Sequence, residues 1–257
     1  MSFAASIAVF VVTTAGAAPP KVDYFFPAGV QLGRTSEVTA HGTFEQWPVR
    51  TWCDQPGVEV TAGEKKGELS IVVAEDASAG VCWLRLYDDE GASELRPLVV
   101  GMLPHLREVE PNDAPDKPQQ IEQPALINGK LSKRGDVDTF SVHLKQGETL
   151  VASLQANELL ASPMDALLQI TDARGFVLAQ NNDARGLDPL LTFNATKAGD
   201  YLVRAFAFPS KPNSTIAFAG AEDYVYRLTL TTGAFLDHVL PLAVQHGATT
   251  HLRRMGW

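Results

Sequence analysis

Short runs in which apolar and polar residues alternate recur along this chain, separated by turns rich in glycine, proline and aspartate. Phe140, Val142 and Leu144 alternate with Thr139, Ser141 and His143, the period of a strand with one buried face. Leu150, Ala152 and Leu154 repeat the pattern, as do Tyr201, Val203 and Ala205, and later Tyr224, Tyr226, Leu228 and Leu230. In the first part of the chain the runs 22–26, 36–40, 69–73, 81–87 and 98–100 carry the same signature. Several short strands at this spacing predict β-sandwiches, and no long amphipathic helix competes with them. The chain is expected to be all-β. Its 257 residues, 45% of them apolar, suffice for one or two cores.

The first residues predict export. Residues 3–12 form an apolar run too short to cross a bilayer comfortably. Ala15-Gly16-Ala17 follows, with the small-x-small pattern of a signal-peptidase site. No Lys or Arg precedes the run, so residues 1–18 read as an atypical signal peptide. No other segment is long and apolar enough for a transmembrane helix, so the mature chain is not expected to insert in a membrane. The net charge of −9, without any basic run, argues against a nucleic-acid partner. The expected location is secreted, periplasmic or at the cell surface.

Two cysteines, Cys53 and Cys82, sit in or beside apolar runs. In an oxidising compartment they are expected to pair, closing a loop worth about 3–4 kcal/mol; the alternative is two buried free thiols. No Cys/His spacing fits a zinc site. Trp47, Trp52 and Trp83 are expected as core or rim fillers, with a carbohydrate platform the alternative for one of them.

Between the two groups of strands lies an acidic stretch. In an extended segment Glu108, Glu110 and Asn112 project from one face, and Pro111 opposes a helix. Asp113, Asp136 and Asp138 add further oxygens. Such a set suits a hard cation, since calcium takes six to eight oxygen ligands. A solvated interdomain linker is the competing reading of the same residues. Asp183 and Asp188 flank another turn, where a solvated loop is preferred over a second ion.

Two resemblances organise these elements. The run from Phe26-Pro27-Ala28-Gly29-Val30-Gln31 through the strand at 80–86 resembles bacterial immunoglobulin-like domains of the IPT/TIG type. The second part is similar to the bacterial pre-peptidase C-terminal (PPC) domain. That resemblance is carried in order by Glu110-Pro111-Asn112-Asp113, Ile127-Asn128-Gly129-Lys130-Leu131 and Gly135-Asp136-Val137-Asp138-Thr139-Phe140. Gln146-Gly147-Glu148-Thr149-Leu150, Asp165-Ala166-Leu167-Leu168, Asp172-Ala173-Arg174-Gly175, Asn182-Asp183 and Ala198-Gly199-Asp200-Tyr201-Leu202-Val203-Arg204 continue it. In large secreted proteins of planctomycete-like bacteria a domain of the first type often precedes one of the second. The resemblances imply an immunoglobulin-like β-sandwich at 21–104, an acidic linker at 105–113 and a jelly-roll β-sandwich at 114–232. Relatives of the second module chelate calcium with their entering segment and first strand. By that resemblance calcium would sit among Glu108, Glu110, Asn112, Asp113, Asp136 and Asp138.

The tail echoes the beginning. Pro241-Leu242-Ala243-Val244-Gln245-His246-Gly247-Ala248-Thr249 matches Pro27 to Thr35 at Pro, Val, Gln, Gly and Thr, and Gly256 falls where Gly42 would. Residues 236–257 are therefore expected to open a second immunoglobulin-like repeat. No GxSxG elbow, HExxH helix or nucleotide-binding glycine loop is present, and no catalytic residue is expected. The leading expectation is a non-catalytic secreted module pair of a larger extracellular protein, stabilised by calcium. Its partner would be an extracellular protein, a matrix ligand or a peptidase domain. The alternatives are a targeting or pro-region fragment of a secreted peptidase, and a structural cell-surface spacer.

Overall fold

The computed structural model describes residues 17–211 and 217–257; the expected signal peptide lies almost wholly outside the described residues. Eight strands build a first sandwich: β1 (Lys21–Phe26), β2 (Gly29–Gln31), β3 (Thr35–Thr43), β4 (Arg50–Cys53), β5 (Val58–Ala62), β6 (Glu68–Val73), β7 (Gly80–Tyr87) and β8 (Arg96–Gly101). They form two sheets, ordered β1-β3-β6-β5 and β2-β8-β7-β4. Leu69, Ile71, Leu84, Leu86 and Leu98, all within 1% of full burial, meet between them. The alternating runs fall on these strands as expected. The short β2 and β5 were not singled out by pattern; β2 spans three residues, too few for a period to show.

The second sandwich comprises β9 (His105–Arg107), β10 (Gln119–Gln120), β11 (Ala125–Lys130), β12 (Asp138–Leu144), β13 (Thr149–Gln155), the one-turn helix α1 (Asn157–Leu160), β14 (Met164–Asp172), β15 (Val177–Asn181), β16 (Leu190–Asn194), β17 (Gly199–Pro209) and β18 (Val225–Thr231). Its sheets run β10-β12-β17-β14-β15 and β16-β13-β18-β11-β9. Phe140, Val142, Leu150, Leu154, Leu168, Val203, Tyr226 and Leu228 fill the space between them. Among the described residues the fold is all-β apart from α1.

Two features differ from the expected pattern. Thr139 and Ser141, read as the solvated face of their strand, are buried at 0% and 2% exposure; only His143 of that face is open. The entering segment binds Thr139, with Asn112 C=O accepting from Thr139 N–H (3.1 Å) and Thr139 Oγ1 donating to Asp113 C=O. The acidic stretch at 105–113 is likewise not a free connection. Its first residues form β9, which pairs in parallel with β11, and Glu108 N–H donates to Asn128 C=O (3.1 Å).

The two sandwiches meet over a small apolar joint. Ala28, Leu160 and Val225 are buried together, with Tyr24, Phe26 and Leu159 packed around them. Arg227 of β18 is buried there at 2% exposure, donating from Nη1 to Gln155 Oε1 (2.7 Å). A side chain at Gly29 would fall 2.6 Å from Arg227 Nε and 2.8 Å from Val99 O, so only glycine lets the guanidinium approach. Arg107 adds a donor from β9 to Glu37 C=O on β3 (2.7 Å).

After β18 the chain forms a separate hairpin, β19 (Leu236–Leu240) with β20 (Arg253–Gly256). Its register, Leu236↔Gly256, His238↔Met255, Val239↔Arg254 and Leu240↔Arg253, reproduces Val22↔Gly42, Tyr24↔His41, Phe25↔Ala40 and Phe26↔Thr39 in β1–β3. Both members shift by 214 positions (22 to 236, 42 to 256), and the irregularity after the first pair recurs. Gly33 and Gly247 share positive φ, 69° and 76°. Val22 and Val30, each 1% exposed, correspond to Leu236 and Val244, each 59% exposed.

Candidate metal centre

The acidic segment crosses the start of β12, so one stretch of extended chain faces the turn that precedes that strand. Glu110, Asp113 and Asp136 each bring a carboxylate oxygen within 4.8 Å of the others. Asp136 is fully buried, as are the neighbouring Asn112 (1% exposed) and Asp138 (0%). Hydrogen bonds fix the backbone: Asn112 N–H donates to Glu110 Oε2 (3.0 Å), and Asp136 N–H donates to Lys133 C=O (3.1 Å).

Several polar atoms here are without partners among the described residues, the donor Asn112 Nδ2 included. Asn112 Oδ1, Asp113 Oδ1, Asp136 Oδ1 and Asp138 Oδ1 are all closed off from solvent without a hydrogen-bond partner among the described residues. Buried polar atoms are almost always satisfied, and one left bare costs about 1–3 kcal/mol. One cation is at hand: Lys133 Nζ lies 3.1 Å from Asp113 Oδ2 and 3.6 Å from Asp136 Oδ1. Burial and the neighbouring Asp113 and Glu110 push Asp136 above the usual carboxylate range. The hydrogen-bonded Asp136 and the Lys133 ammonium hold Asp113 below it. A set of hard oxygen donors short of positive charge fits a cation such as calcium.

The six candidate ligands do not form one cage. Glu108 turns to the other side, where its Oε2 accepts from Lys130 N–H (2.7 Å) and from Tyr226 Oη–H (3.2 Å). Tyr226 also hydrogen-bonds Asp138. Burial, then the charge of Glu110, pushes Glu108 up to about 7. Burial beside Glu108 also raises Asp138 well above its ordinary value. Glu108, Asp138 and Tyr226 thus form a buried acid cluster next in sequence to the Glu110–Asn112–Asp113–Asp136 group, with Asp138 Oδ2 bonded to Tyr226 and its Oδ1 without a hydrogen-bond partner among the described residues. Tyr226 and Lys133 went unnoticed as site residues. Tyr226 shares its period with core aromatics, and Lys133 sits in an ordinary polar turn. Gly129 carried a signal: a side chain there would run into Tyr226 and Glu108.

The other expectations resolve individually. Asp188, read as part of a solvated loop, is 4% exposed and accepts from the backbone N–H groups of Ala156, Asn157 and Glu158 at the start of α1. Asp183 stays exposed beside Asn182. Cys53 Sγ and Cys82 Sγ lie 2.6 Å apart, across the β4–β7 pair. Trp47 is a rim residue as expected, packed on Phe44 and donating to Gly63 C=O (2.8 Å). Trp52 and Trp83 are not core: they are 49% and 39% exposed on the outer face of the β4–β7 pair.

Residues 136–207 match the Bacterial pre-peptidase C-terminal domain. Over 118 residues the chain is 32% identical to a probable subtilase-type serine protease of Deinococcus radiodurans, a match covering 44% of this chain and 16% of that protein. Among solved structures, the pre-peptidase C-terminal domain of collagenase from Bacillus anthracis aligns over 48% of this chain and all of its own, at 14% identity and TM-score 0.35. A periplasmic inhibitor of g-type lysozyme from Aeromonas hydrophila aligns over 50% of this chain and 96% of its own, at 11% identity and TM-score 0.30. Among the described residues no helix is long and apolar enough to cross a membrane.

Proposed function

We propose that this chain is a non-catalytic accessory module pair of a secreted protein, braced by calcium where the segment leaving the first sandwich meets the second. The observation that carries the reading is the group of four closed-off oxygens on Asn112, Asp113, Asp136 and Asp138 that no hydrogen-bond donor meets among the described residues, with the Lys133 ammonium 3.6 Å from Asp136 Oδ1. Glu110, Asn112, Asp113 and Asp136 would hold the ion, with the free oxygen of Asp138 beside it. Calcium supplies the charge that lets these carboxylates remain ionised while buried. The chain's own part is to hold the entering segment against β12 through Thr139 and Asn112. The ion would therefore act as a brace.

Nothing at this site prepares a nucleophile. Among the described residues the histidines in ion pairs, His143 and His238, bond Asp200 and Asp237 and no serine or cysteine. Thermal unfolding of the full chain in excess EDTA and in millimolar calcium tests the brace. Saturation at 100 times the dissociation constant adds about 2.7 kcal/mol, and the gain is expected to vanish in Asp113→Ala. An unchanged midpoint would leave the acidic group as a solvated hinge.

Two further readings each rest on one observation. The likeness to a probable subtilase-type serine protease favours a role beside a secreted peptidase, as a targeting or pro-region module. The recurrence of the β1–β3 register in β19–β20 favours an alternating array, in which residues 236–257 open another copy of the first sandwich. In that setting Cys53 and Cys82 pair as a disulfide.

A further inference from the structure

The outer face of the β2-β8-β7-β4 sheet is divided in two. On β8 the outward residues Pro97 and Val99 are buried, and Pro97 lies against Leu160 and Val225 of the second sandwich. On β7 and β4 the same face is open. There Val81, Trp83, Arg85 and Tyr87 alternate with the core residues Cys82, Leu84 and Leu86. Arg50 and Trp52 pair across from Tyr87 and Arg85. Trp52, Arg85, Tyr87 and Leu95 line an open groove of ≈ 350 Å³.

The polar groups around this groove are unequal. Arg50 lies over the Tyr87 ring (4.9 Å) and pairs with Asp89 (2.6 Å). Asp54 accepts from Trp83 N–H (2.8 Å). Arg85 alone is uncommitted: among the described residues no acceptor meets its closed-off Nε and no carboxylate pairs with it. In a chain of net charge −9, a cation without a counter-ion framed by aromatic rings is complementary to an anion that also has an apolar face.

We infer that this face binds a saccharide chain carrying carboxylates, an acidic glycan of the polyuronate class. A uronic acid ring has both required features. Its C–H face stacks on the Trp52 indole, and its carboxylate takes the outer Nη groups of the Arg85 guanidinium, whose Nε is closed off, in a charge-assisted pairing. Trp83 extends the aromatic strip along β7 for a neighbouring ring. A proline-rich peptide would cover the rings but leave Arg85 without a partner. The inference deepens the accessory-module reading and rests on it for the absence of catalysis. It uses no residue of the acidic centre.

Calorimetric titration of the full chain with oligogalacturonate, in buffer without added calcium, tests it. Cello-oligosaccharides and a proline-rich peptide serve as comparisons. Oligogalacturonate is expected to bind, with affinity lost in Trp52→Ala and lowered about tenfold or more in Arg85→Gln, the loss of one charged hydrogen-bonding group. Trp83→Phe, with an unchanged unfolding midpoint, checks that the strip and not the fold is at issue. No binding, binding indifferent to Trp52→Ala, equal binding of the neutral oligosaccharide, or binding of the peptide alone would each overturn the inference. The calcium-dependent melt of the same preparation reports separately on the brace, so failure of one leaves the other readable.

Discussion

At the scale of single residues, Tyr226 decides how two buried acids coexist. Its single hydroxyl lies within reach of both Asp138 and Glu108, so Tyr226→Phe removes the donor they share, leaving Glu108 its Lys130 N–H and Asp138 short. The expected loss is about 1–3 kcal/mol in EDTA, measured by urea unfolding. Gly129→Ala is expected to cost as much by overpacking, about 1–3 kcal/mol, because the added methyl meets Tyr226 and Glu108. His105 gives a pH signature away from the acids. Burial, then the Arg227 guanidinium, hold it down to about 4 from 6.5. The unfolded chain takes up the proton first, so this contribution is present above about pH 6.5 and is lost as pH falls towards 4. The shift corresponds to roughly 3 kcal/mol. His105→Gln should flatten that part of the stability profile relative to the parent; parallel profiles would refute it.

At the scale of elements, the strands were legible and their burial was not. Alternation in 139–144 located β12, but Thr139 and Ser141 have the residue types of a wet face and are in fact buried, Thr139 against the entering segment. A pattern of period two records which side is apolar; it holds no record of a distant segment that covers the other side. The same limit hid the exposure of Trp52 and Trp83, since a large aromatic looks alike in a core and on a platform. The acidic group was readable as a cluster because Glu110, Asn112 and Asp113 lie close in sequence. Its division around Asp138 needed Tyr226, 88 residues away. The joint offers its own test. Gly29→Val forces Arg227 and the Val99 carbonyl apart, so faster proteolysis between the sandwiches is expected while each core melts as before.

At the level of the full chain, Cys53 of β4 and Cys82 of β7 lie side by side beneath the aromatic strip. Protein recovered from an oxidising compartment is expected to be two mass units lighter than the reduced chain, the two hydrogens lost on pairing. Reduction should lower stability by about 3–4 kcal/mol, because the bond closes a segment of 29 positions. Intact mass with and without reductant decides it.

The path of the chain through the second sandwich has a consequence for how such proteins are assembled. His105, where β9 begins, and Thr229, near the end of β18, both lie in register with Leu126, one on either side. Entry and exit are thus two inter-strand spacings apart, roughly 10 Å, at one end of the sheet. A unit with adjoining ends is grafted onto its host as a side branch. It can be gained, lost or exchanged through a single gap that a few residues bridge, with the spacing of what flanks it nearly unaltered.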